Sequence, residues 1–293
     1  MSQNNNKEIK AESPWAIAWR HFKKNKLAMA GLFIMIIVVL SAVFAPQLAP
    51  HDPYKTNILD SKEAPNDSYP LGTDRVGRDV LSRLLYGGRI SLTVGLVAMV
   101  ISVTLGTLMG LIAGYFGGWV DTLITRLIDV FMSIPFLIMA ITIGSIWGPG
   151  LYKLMVIIGI LSWTGIARIV RSNILSLRER DFIHASRALG GSDFRIMIKH
   201  LFPNTVAPII VNATLRVAYS ILSEAGLSYL GLGVQPPIPS WGSMLEAARS
   251  VSILEAMPWF WLPPGTMIVI TVLSINFIGD GLRDALDPKL QKS

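Results

Sequence analysis

The chain has 293 residues, 52% of them hydrophobic and 15% charged, with a mean hydropathy of +0.51. A soluble domain carries about 25% charged residues, so one water-soluble core cannot house this chain; its low charge and lack of a short period exclude disorder, collagen and coiled coil as well. A polytopic membrane protein remains: the net charge of +7 reads as positive-inside bias rather than a nucleic-acid footprint, and the absence of Cys excludes disulfides and thiolate-ligated metals or clusters.

Residues 1–26 are polar and basic, and from Trp15 onward Ile17, Ala18, Trp19 and Phe22 alternate with Arg20, Lys23, Lys24 and Lys26. The pattern predicts a short amphipathic helix on the membrane surface, and no cleavage site makes it a secretory signal. Apolar stretches, free of charge except for Arg216 in the fifth, then mark six predicted spans, Leu27–Pro50, Ile90–Val120, Val130–Tyr152, Leu154–Ala167, Asn204–Leu222 and Pro263–Gly279. A polar loop at about 51–89 follows the first, and a polar segment at about 171–203 precedes the fifth. The expected organisation is therefore a cytoplasmic N-terminal segment, 1–26, and a transmembrane domain, 27–293.

Lys and Arg concentrate at the N-terminus, in the 168–199 segment and in the tail, and six spans put all three on one side. That side is predicted to be cytoplasmic, with both termini inside. The 51–89 loop balances its six Lys and Arg with Asp52, Asp60, Glu63, Asp67, Asp74 and Asp79.

Gly106, Gly110 and Gly114 repeat at four-residue spacing in the second span. Small residues so spaced let another helix approach closely, either within the chain or on a second membrane subunit. The fifth span carries Asn204, Asn212, Arg216, Ser220 and Glu224 at steps of four or eight. Polar groups at membrane depth face a bundle interior or an aqueous path, which makes Asn212, Arg216, Ser220 and Glu224 candidates for a translocation path. The alternative for Arg216 and Glu224 is snorkelling to the outer interface. Within 171–203, Phe182–Leu189 has helical composition, Gly190-Gly191 breaks it, and Ser192 is placed to cap a second helix, Phe194–Phe202, that Pro203 should stop. A compact helix–turn–helix on the cytoplasmic side suggests a docking element.

His184-Ala185-Ser186, then Gly190, then Phe202-Pro203 resembles the cytoplasmic loop of bacterial ABC importer permeases, matching at Ala185, Gly190 and Pro203 and departing at His184, Ser186, His200 and Phe202. Leu71-Gly72-Thr73-Asp74, Gly77-Arg78-Asp79, the run Leu227–Gly233, Pro239-Ser240-Trp241-Gly242 and the tail Gly279–Pro288 resemble the oligopeptide/dipeptide branch, and the long first loop resembles its C-type subunit. The resemblance implies an all-α permease of type I ABC importer form, with six transmembrane helices and a helix–turn–helix coupling loop. It implies transport of oligopeptides or dipeptides driven by two separate ATPase subunits, beside a second permease in a heterodimer and fed by an extracytoplasmic binding protein. It places ATPase coupling on Phe182, Ala185, Ser186, Leu189, Gly190 and Pro203.

No phosphate-binding G-x-x-x-x-G-K-[ST] loop occurs, so ATP hydrolysis by that route is excluded. The four His, His21, His51, His184 and His200, are scattered outside the predicted spans, which disfavours an intramembrane enzyme. No cofactor, resident metal or nucleic acid is expected. A self-contained secondary transporter or channel is disfavoured by sparse intramembrane charge and the lack of an internal repeat; an importer of the same family for nickel or another small solute stays open.

Overall fold

The computed structural model describes residues 14–286; Lys7, Lys10 and the tail from Asp287 lie outside them. The described helices, in chain order, are α1 Pro14–Lys24, α2 Lys26–Val43, α3 Ala45–Leu48, α4 Val80–Phe116, α5 Gly118–Ser133, α6 Phe136–Trp147, α7 Leu151–Leu161, α8 Trp163–Leu177, α9 Asp181–Ala188, α10 Asp193–Ile196, α11 Phe202–Tyr229, α12 Trp241–Ala247, α13 Val251–Ala256 and α14 Pro258–Leu286. Among the described residues there is no strand, only an isolated bridge between Thr73 and Asp79. Among the described residues five helical stretches are long and apolar enough to cross a membrane, or six when α5 and α6, bent by 87°, are counted as one span. The chain is an all-α, multi-pass membrane protein.

The central element is α4. Along one side it packs on α8, where Gly106, Gly110 and Gly114 form a groove. A Cβ on Gly110 would stand 2.6 Å from the Ala167 carbonyl oxygen and 2.7 Å from Val170 Cβ. The small-residue repeat thus serves packing within the chain. Nearer the 51–79 segment, Val94 and Ala98 of α4 are buried with Leu154, Met155 and Ile158 of α7. At the other end Leu111 and Tyr115 are buried with Ile166, Val170 and Ile174 of α8. Beside α4, α11 packs on α14, which also carries α1 through Ala18, Phe22 and Ala285.

Several helix boundaries differ from expectation. The α4 helix starts at Val80, ten residues before Ile90, because Asp79 caps it by accepting from the Ser82 amide at 2.8 Å. Two arginines therefore ride inside the helix. Arg83, 5% exposed, donates to the Pro53 carbonyl at 3.0 Å and lies 3.8 Å from Asp74. The third expected span is broken at Ile134, held extended ahead of Pro135. The fourth runs over 27 residues with a break at Ser162. Pro263 and Pro264 lie within α14 rather than at its start.

Pro203 does not stop its helix. The backbone widens into a π-turn at Met197–Leu201, and the Phe202 amide bonds to the Met197 carbonyl. A widened turn relieves the clash a proline ring makes with the carbonyl four residues back. Helical backbone thus runs from Asp193 to Tyr229, and the second helix of the expected helix–turn–helix is continuous with the fifth span.

Candidate functional site

The segment 181–201 is anchored from one face and open on the other. Ile183, Ile196 and Leu201, each 0% exposed, seal against Leu111, Tyr115 and Ile174. Tyr115 Oη donates to Asp193 Oδ1 at 2.5 Å, and the Arg187 guanidinium stacks over the Tyr115 ring at 5.3 Å. Arg178 Nη1 donates to the Gly114 carbonyl at 3.2 Å. Three contacts of different chemistry therefore fix the α9–α10 segment to the end of α4, and Arg178, the C-cap of α8, holds the chain just before it.

The outer face of α9 shows Phe182, Ala185 and Leu189, with Ser186 half-buried beside them. Leu189 is 88% exposed and Phe182 45%. The helix ends in a Schellman turn: Gly191 N–H bonds to the Ser186 carbonyl and Gly190 N–H to the Arg187 carbonyl, each at 2.9 Å. Gly190 takes φ +79°, the left-handed conformation this turn requires, and nothing lies within 4 Å of where its Cβ would be. Beyond it, Ser192 caps α10 by accepting from the Arg195 amide at 3.4 Å. Five of the six residues assigned to coupling by resemblance thus sit in one short helix and its turn. Pro203 stands apart, at the base of α11.

The polar stripe of α11 is divided. Asn204 and Asn212 line a cavity of about 550 Å³ with Asn173 of α8 and Arg283 of α14. Arg216 lines a second cavity, of about 280 Å³, where α5 meets α6 and α7 meets α8. Ser220 and Glu224, both 0% exposed, lie inside the protein rather than on a path surface. Glu224 Oε1 accepts from Ser228 Oγ at 2.7 Å and Ser240 Oγ at 2.8 Å, and Oε2 accepts from Ser91 Oγ at 3.1 Å. This carboxyl group joins α4, α11 and the cap of α12, so snorkelling is excluded for it. Arg216 is equally distant from the ends of α11, thirteen residues from Pro203 and from Tyr229, or about 20 Å each way.

Sequence reasoning missed the Tyr115–Asp193 tether and the unpartnered Ser162. Neither belongs to a spaced motif; both are products of tertiary packing between residues distant along the chain.

The comparisons with known proteins fit this geometry. Residues 106–292 match the family model described as binding-protein-dependent transport system inner membrane component. Residues 13–65 match the N-terminal TM domain of oligopeptide transport permease C. The chain is 45% identical, over 96% of its length and 92% of the relative's, to a dipeptide transport system permease protein DppC of Alkalihalophilus pseudofirmus. It is 43% identical to the di/tripeptide transport system permease protein DppC of Pseudomonas aeruginosa, over 96% of this chain and 94% of that one. With the oligopeptide transport system permease protein OppC of Bacillus subtilis the identity is 40%, over 97% and 92%.

Proposed function

The chain belongs to the family of binding-protein-dependent transport system inner membrane components, in its C-type peptide permease branch, and from that premise we propose that it is one permease half of an importer moving short peptides inward across the cytoplasmic membrane. Two ATPase subunits supply the energy, a second permease completes the path, and a binding protein delivers the peptide from outside. Both chain termini and the 181–201 segment face the cytoplasm, with 1–26 as a surface segment before the 27–293 permease domain. Asn212 and Arg216 line the path.

The observation that carries the reading is α9. An isolated two-turn helix with exposed Phe182 and Leu189 on one face and buried Ile183 on the other is a docking element. Small Ala185 and half-buried Ser186 let it lie close in a groove on the ATPase. The test uses the assembled complex. Ala185→Trp abolishes uptake while the chain stays inserted, and a cysteine at Ser186 crosslinks to an ATPase subunit with a nucleotide-dependent yield. Gly190→Asn keeps the left-handed turn, so comparing it with Gly190→Val separates side-chain bulk from backbone strain. Normal uptake in Ala185→Trp and Gly190→Val, with no crosslink at Ser186, removes the docking role.

A further inference from the structure

Two interruptions of regular helix meet beside Arg216. The α5–α6 pair breaks at Ile134-Pro135, the α7–α8 pair breaks at Ser162, and Arg216 stands at the midpoint of α11. Between them lies the 280 Å³ cavity, lined by Ser162, Thr164, Gly165, Arg216 and Tyr219 among others. Its polar lining has unused capacity. No carboxylate among the described residues pairs with Arg216. The guanidinium rests over the Tyr219 ring, 5.1 Å from its centroid. Ser162 is 4% exposed, makes no capping bond to α8, and its Oγ has no hydrogen-bond partner.

The cavity also receives the N-terminal end of α8, a helix of 15 residues, through Ser162, Thr164 and Gly165. A helix start carries unsatisfied amides and the positive end of the macrodipole. A cation, a helix start and a free hydroxyl around one space make an anion site, and half-helix starts at mid-membrane depth suit anionic substrate groups. A planar carboxylate matches the guanidinium fork in a way a chloride ion does not. Arg216 is half-buried and has no carboxylate partner among the described residues, so a passing carboxylate supplies a charge-assisted partner it lacks.

We propose that this cavity is a carboxylate-binding site in the translocation path, with Arg216 as the specificity residue that receives the C-terminal carboxylate of the transported peptide. The identity of the ligand rests on the peptide-permease reading above; the anion site itself does not. Thr164 and the start of α8 orient the carboxylate, and Tyr219 holds the guanidinium in place from its other side.

The test uses the complete importer in proteoliposomes, with Met132, which lines the cavity and is 50% exposed, replaced by cysteine. A small anionic thiol reagent labels this cysteine about tenfold faster than a cationic one of similar size, and Arg216→Gln removes the preference while Arg216→Lys keeps it. Saturating L-Ala-L-Ala under turnover slows the labelling. Uptake of L-Ala-L-Ala falls about tenfold in Arg216→Gln, whereas the ratio of its uptake to that of the C-terminal amide moves far less in Arg216→Lys. Absent labelling, equal rates for the two reagents, or a preference that survives Arg216→Gln overturns the site. Equal loss of free peptide and amide uptake in Arg216→Gln and Arg216→Lys overturns the recognition role and makes Arg216 a structural partner of the second permease. An anion preference without uptake of L-Ala-L-Ala by the unaltered complex overturns the peptide reading and leaves the anion site standing.

Discussion

Glu224 shows what a buried carboxyl group does when no cation accompanies it. Its three serine partners come from three elements, and Ser91 Oγ in turn accepts from the Trp241 amide at 3.2 Å. Ser240 also closes a capping box with Ser243 at the start of α12. Glu224 therefore sets where α12 sits on the bundle. Removing it strands three buried hydroxyls, and each buried polar group left unsatisfied costs about 1–3 kcal/mol. Glu224→Ala should lower the thermal midpoint of the purified chain in detergent and expose 236–262 to proteolysis, with Glu224→Gln intermediate because an amide keeps one acceptor. An unchanged midpoint and digestion pattern in Glu224→Ala would sink this role. The spacing that drew attention to Glu224 was a four-residue step, yet each such step turns about 40° around a helix. Three steps from Asn212 to Glu224 turn about 120°, which is why the stripe spreads over two cavities and the protein interior.

At the scale of elements, two contacts make α4 a mechanical link, and each has its own test. The first is the tether to the 181–201 segment. Tyr115→Phe removes the hydroxyl that reaches Asp193 but leaves the ring that packs in the core and carries Arg187. The assembled complex should keep its ATPase turnover and lose uptake per ATP by roughly tenfold to a hundredfold, the worth of one hydrogen bond to a charged group. Coupling unchanged by Tyr115→Phe would leave this bond a packing detail. The second is the α4–α8 groove. Gly110→Val sets a Cβ against the Ala167 carbonyl oxygen, and backbone cannot swing aside as a side chain can. Overpacking of this kind costs about 1–3 kcal/mol; Gly226→Ala, in α11 with nothing within 4 Å, is the control. Equal melting of the two variants would contradict the close approach.

The same elements show how far the sequence carries. The existence of the spans was legible because charge-free runs of that length have no other stable home. Their ends were not, since Arg83 is held inside α4 by Asp74 and a carbonyl across the chain, and no local rule foretells such a partner. Pro203 carries a strong stop signal that a single π-turn overrides. Gly190 was legible in full, because only a glycine-like backbone completes that turn. Arg216 was legible as a candidate for the path but not as part of an anion site. Its meaning comes from the breaks at Pro135 and Ser162, which only the packed bundle brings together.

For the whole molecule, α4 runs unbroken over 37 residues, about 55 Å, from the cap at Asp79 to the tether at Tyr115. One rod thus joins the 51–79 segment to the 181–201 segment, and their placement on opposite sides of the membrane decides whether it links two compartments. Leu59, 93% exposed, marks the first end and Leu189, 88% exposed, the second. The chain contains no Cys, so a single cysteine at either position is the sole thiol. In intact cells a membrane-impermeant thiol reagent should label Leu59→Cys at once. It should reach Leu189→Cys only after permeabilisation, and in the assembled complex more slowly than in the isolated chain, as the proposed ATPase contact on that face requires. The basic residues around 168–199 favour this orientation through the positive-inside bias, whereas the 51–89 loop offsets its cations with carboxylates. Labelling of Leu189→Cys in intact cells would invert the topology, place the α9 docking face outside, and end the proposal that ATPases drive this rod from the cytoplasm.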